Sequence, residues 1–121
     1  MEQFQIASDI INLSDTIMEG LEHIKHRVSE GYLEDTYYLL EDIINAVASI
    51  HRATEGMLSL LGENRIEEFT QHINHLIDEM TNNYQEKRIE KAKVDIQLVL
   101  IPAFKEWKNE LERCLSDYIA S

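Results

Sequence analysis

Apolar residues recur at steps of three and four along nearly the whole chain, and one proline (Pro102) and four glycines are all that interrupts the pattern. Such steps return side chains to one face of an α-helix, whereas a half-buried strand needs alternation every second residue. The pattern therefore predicts an all-α fold built from long amphipathic helices.

Four segments follow from it. Ile6, Ile10, Leu13, Ile17, Leu21, Ile24 and Val28 predict a first helix over about residues 3–30. Lys25, His26 and Arg27 fall in its last turn, and Gly31 fits the left-handed position that closes a helix. Leu33, Tyr37, Leu40, Ile44, Val47, Ile50, Met57 or Leu58, and Leu61 predict a second helix over about 33–61, stopped by Gly62. Asn64 with Glu67 reads as a capping box, and Ile66, Phe69, Ile73, Leu76 and Met80 predict a third helix over about 65–82. The phase then slips across Thr81-Asn82-Asn83, which predicts a turn near 81–87; a helix unbroken from Asn64 to Ile119 would run about 80 Å, twice the length of its neighbours. Ile89, Ala92, Ile96, Val99, Ala103, Trp107, Leu111, Cys114 and Tyr118 predict a fourth helix over about 87–119, kinked at Pro102 rather than broken there. Four helices joined by tight turns alternate in direction, so the expected architecture is one domain, an antiparallel up-down-up-down bundle.

The chain has 121 residues, 44% hydrophobic and 28% charged, which suits one globular domain. The single cysteine, Cys114, allows no internal disulfide, and the start of the chain shows no basic region followed by an apolar block; both point to a cytoplasmic protein. Net charge is −12, which disfavours nucleic acid and anionic membrane surfaces as partners. The charge is uneven: 17 acids and 4 bases up to Glu86 give −13, while 6 acids and 7 bases from Lys87 onward give +1.

Little of the sequence is left over for chemistry. The glycines never cluster into a phosphate loop, and a di-iron site would need Glu-x-x-His on two helices, which the chain lacks. Cys114, Trp107, Tyr37 and Tyr118 sit at core spacing. Among five histidines, His51 lies at nearly the same level as His72 and His75 in an antiparallel arrangement, so His51, His72 and His75 form a candidate metal-ligating group. The segment His23-Ile24-Lys25-His26-Arg27 resembles the exposed His-x-x-Lys motif of histidine phosphotransfer domains over five residues, with lysine at the wrong spacing. That resemblance implies a phosphoryl relay on His23 as an alternative function.

Glu30-Gly31-Tyr32 and Leu39-Leu40-Glu41-Asp42-Ile43-Ile44 together resemble segments of small uncharacterised helical proteins of Firmicutes. The short, acidic, helical character of the chain is similar in class to flagellar and type III export chaperones. These resemblances imply a non-enzymatic adaptor or chaperone that needs no cofactor and works by protein–protein contact. The expected partner-binding residues are Lys87, Arg88, Lys91 and Lys93, where the fourth helix departs from the acidic remainder of the chain. Ile11 and Met18 in the first helix, and Leu39 and Ile43 in the second, widen their stripes enough to leave homodimerisation open.

Overall fold

The computed structural model describes residues 2–119, and the regular structure among these residues is helical throughout. Helix α1 spans Glu2–Ser29, α2 Tyr37–Glu55, α3 Ile66–Gln85, α4 Ile89–Asp95 and α5 Ile101–Ile119. A five-residue π turn, Ile96–Leu100, joins α4 to α5 without interrupting the helical run. Four helices result, the fourth being α4, the π turn and α5 in succession. Helix α1 packs on α2 and α5, and α3 packs on α5, α2 and α4. No helix among the described residues is long and apolar enough to cross a membrane.

Each boundary has a local cause. Gly31 takes a φ of +97°, and the Tyr32 and Gly31 amides donate to the carbonyls of Arg27 and Val28 at 3.0 Å each. That pair of bonds is the Schellman closure, which satisfies carbonyls the helix itself leaves bare. The turn after α3 repeats it without glycine: Arg88 N–H donates to Asn83 at 2.8 Å and Lys87 N–H to Tyr84 at 3.2 Å. Lys87 occupies the left-handed position with a φ of 54°.

The second helix is shorter than the apolar spacing predicts. Single 3₁₀ turns at Glu34–Thr36 and Leu58–Leu60 flank it, so the expected span of 33–61 contracts to Tyr37–Glu55. Thr36 explains the first of these. Its hydroxyl is buried, donates to the Leu33 carbonyl at 2.7 Å and meets the Tyr84 hydroxyl at 2.7 Å, which ties the α1–α2 connection to the end of α3. The expected Asn64–Glu67 capping box does not form: α3 is capped at Arg65, with no side-chain hydrogen bond at the cap. Asn64 Oδ1 accepts from Ile66 N–H at 3.0 Å, while Glu67 turns toward His51, at 3.4 Å.

The buried stripe also shifts. In α1, Ala7 and Ser14 are buried where Ile6 and Leu13 are expected, and the two isoleucine and leucine side chains pack only partly against the core. Beyond Ile96 the buried residues are Leu100, Ile101, Phe104, Trp107, Leu111 and Leu115, in place of Val99, Ala103, Cys114 and Tyr118. The π turn supplies the reason: its i-to-i−5 bond, from Ile101 N–H to the Ile96 carbonyl, inserts an extra residue and rotates the following face. Pro102 supplies the reason for the π turn, because its ring would clash with the Leu98 carbonyl in regular α geometry and it has no N–H to donate there. Phe104 and Trp107 meet edge to face at 5.3 Å between ring centroids. The Trp107 indole N–H donates to Thr70 Oγ1 at 3.0 Å, both groups being buried, which pins α5 to α3.

Candidate functional site

Two regions carry features that packing alone does not require. The first lies on the fourth helix. Val94 is 52% exposed, Leu98 65% and Val99 39%, although they sit in or beside the π turn that the sequence pattern would place on a simple amphipathic face. The extra residue of the π turn accounts for Val99, which leaves the core as Leu100 enters it. Pro102, one turn on from Leu98, is also exposed. The bases expected to bind a partner precede this apolar strip along the same stretch of chain. Lys91 Nζ pairs with Asp95 at 2.6 Å, Lys93 Nζ with Glu90 at 3.1 Å and Lys87 Nζ with Glu34 at 3.5 Å. Arg88 is exposed beside them. Burial works against the Asp95 carboxylate, but hydrogen bonds from Lys91 and Asn83 prevail and hold it below the usual carboxylate range. Residues 87–99 carry four bases and two acids, a net charge of +2 within a chain of −12.

The second region lies where α2 meets the start of α3. His51 Nε2 stands 3.0 Å from Glu55 Oε1 and 3.4 Å from Glu67 Oε1. One ligand atom from each of the three residues falls within 4.8 Å of the others. His51 and Glu55 are one helical turn apart on α2, and Glu67 comes from the first turn of α3. The spacing His51-x-x-x-Glu55 is visible in the sequence, but only the folded chain brings Glu67 to it. His72 and His75 do not join this group among the described residues: both are exposed on α3, and His75 Nε2 lies 3.2 Å from Glu79. The next turn of helix carries them off the face that meets α2.

Other candidates resolve into structural roles. His23 is exposed on α1, and the Lys25 ammonium points back to Glu22 at 3.8 Å. Cys114 is half-buried at the core's edge, and burial, with the nearby Glu110 carboxylate, pushes its thiol above the ordinary range, which suppresses the nucleophilic thiolate. Tyr37 is partly exposed rather than a core residue, and stacks obliquely on Tyr84 at 5.6 Å. Tyr118 donates to the Leu60 carbonyl at 3.0 Å. Glu110 is the most perturbed carboxylate. Arg113 grips it at 2.8 and 2.9 Å and the Arg65 amide donates to it at 2.7 Å, which together hold its pKa at about 2. It joins α5 to the start of α3.

A family model described as "Domain of unknown function (DUF8042)" matches residues 5–110, from the first turns of α1 into α5. The chain belongs to the DUF8042 family. The matched span includes both the apolar strip of the fourth helix and the His51, Glu55 and Glu67 cluster. No curated protein and no solved structure matches the chain.

Proposed function

We propose that this DUF8042 domain is a non-enzymatic adaptor of the cytoplasm that works by docking another protein's helix on its fourth helix. Its frame is an antiparallel four-helix bundle. Short connections between long helices favour alternating directions, and each helix has two neighbours, as a closed four-membered arrangement requires. Pro102 and the π turn bend the fourth helix and present Val94, Leu98 and Val99 outward.

The exposed apolar trio is the observation that carries the reading. Singly exposed aliphatic residues are ordinary; three together, beside a proline-bearing irregularity, mark a contact surface. The occupant is an acidic amphipathic helix. The strip lies in a stretch, residues 87–99, with a net charge of +2 in a chain of −12, so an apolar helix rimmed by Glu and Asp is complementary to it. A second copy of this chain is a poorer occupant, since a two-fold contact would set the same bases of α4 against each other. The ion pairs of Lys87 and Lys93 do not oppose docking, because exposed pairs contribute at most about 1 kcal/mol and exchange readily.

A probe peptide tests this directly. An amphipathic helix of about 20 residues, with leucines at three-four spacing and glutamates elsewhere, is titrated into the labelled protein and followed by amide NMR shifts. The expected shifts map to residues 88–102, saturate, and fall about tenfold in affinity in Leu98→Glu. Shifts confined to other helices, equal binding of a lysine-rimmed version, or stable dimers in sedimentation would each refute the docking surface.

A further inference from the structure

We infer that His51, Glu55 and Glu67 form a binding site for one zinc-class divalent cation, clamping the end of α2 to the start of α3.

The geometry matches such an ion. Nitrogen and carboxylate oxygen bind zinc at about 2.0–2.2 Å, and tetrahedral coordination then sets neighbouring ligand atoms about 3.3–3.5 Å apart. The two separations from His51 Nε2 here are 3.0 and 3.4 Å. Those two separations are within a few tenths of an ångström of the tetrahedral value, and the two carboxylate oxygens lie within 4.8 Å of each other.

The state of the imidazole points the same way. Nε2 exposes less than 1 Å² and makes no hydrogen bond, although two carboxylate oxygens stand close to it. The contacts have the distance of hydrogen bonds without their direction. A cation seated among the three would give that buried nitrogen the partner it lacks and would be attracted to both carboxylates. The rest of the side chain is 29% exposed, and Glu55 and Glu67 are 57% and 44% exposed, so an ion can enter from solvent and keep a water as its fourth ligand. One imidazole with two carboxylates suits zinc or a neighbouring first-row ion better than calcium or magnesium, which favour all-oxygen sites.

The backbone is suited to the role. Glu55 closes α2, Glu67 stands in the first turn of α3, and the ten residues between the two helices, 56–65, include only one 3₁₀ turn, Leu58–Leu60. A cross-link there restrains the least regular connection of the fold. The site lies on different elements from the α4 strip, so either can fail without the other.

Calorimetric titration of the full chain with Zn²⁺, paired with visible absorption on titration with Co²⁺, tests the inference. The expected result is saturable binding of one ion per chain and a rise in melting temperature with metal. Glu67→Gln, which keeps shape and removes charge, is expected to weaken binding about tenfold or more, and His51→Ala to abolish it. His75→Ala keeps the wild-type affinity. Circular dichroism checks each variant's fold, and Glu67→Gln decides the matter if His51→Ala does not fold. Absence of saturable binding, binding that persists in Glu67→Gln and His51→Ala, or equal loss in His75→Ala would overturn the site.

Discussion

At the scale of single residues, the strongest constraints are polar groups in an apolar setting. Thr70 is fully buried on α3; its hydroxyl donates to the Ile66 carbonyl at 2.7 Å and accepts the Trp107 indole N–H. Valine in its place keeps the volume and leaves that N–H unpaired. Thr70→Val is therefore expected to lower unfolding free energy by about 1–2 kcal/mol, measured by urea denaturation with tryptophan emission as the probe. Thr81→Val serves as its control, because Thr81 bonds only the Ile77 carbonyl of its own helix and is not fully buried. Glu110 makes the clearest pH prediction. Its folded pKa of about 2 lies below its ordinary value of 4.5, so its contribution is complete above about pH 4.5 and is lost as pH falls toward 2. Glu110→Gln is expected to cost about 1–2 kcal/mol at neutral pH, discounted for the exposure of Arg113, and to flatten the acid limb of the stability profile.

At the scale of elements, the legibility of each helix end depended on which residue took the special backbone position. Gly31 announced the end of α1 in the sequence, because glycine is the residue that adopts a positive φ freely. The end of α3 uses the same closure with Lys87, which carries no such signal, so the expected turn at 81–87 came from the slip of the apolar phase and the helix in fact continues to Gln85. The two ends give opposite predictions. Gly31→Ala forces a side chain into the left-handed region and is expected to destabilise by about 1 kcal/mol; Lys87→Gly relieves one and is expected to stabilise by a similar amount. Thermal denaturation of both variants checks the pair of signs. The fourth helix shows the limit of pattern reading. A stripe stepping through Val99 and Ala103 is coherent on paper, but the π turn before Pro102 displaces it by one residue, and periodicity assumes the regular helix that Pro102 disturbs. The same displacement brings Val99 to the surface.

At the scale of the whole molecule, the all-helical character was legible because apolar spacing acts locally and repeatedly. The two candidate sites were legible only in part, because each needs something non-local. The bases from Lys87 to Lys93 stood out as a reversal of charge, while the apolar strip beside them depends on the π turn. His51 stood out as a histidine at a suitable level, while its partners proved to be Glu55 and Glu67 rather than His72 and His75, a matter of which face of α3 meets α2. Function at this scale turns on the fourth helix as a docking surface for an acidic helix. The most direct measurement places a photo-reactive residue at Leu98 in the protein's native host, identifies the cross-linked product, and measures binding of that purified protein to wild type and Leu98→Glu. The expected result is one cross-linked protein that contacts Leu98 through an acidic amphipathic helix and binds about tenfold or more weakly to the variant. A product consisting of a second copy of this chain, or a partner that binds Leu98→Glu as tightly as wild type, would contradict it.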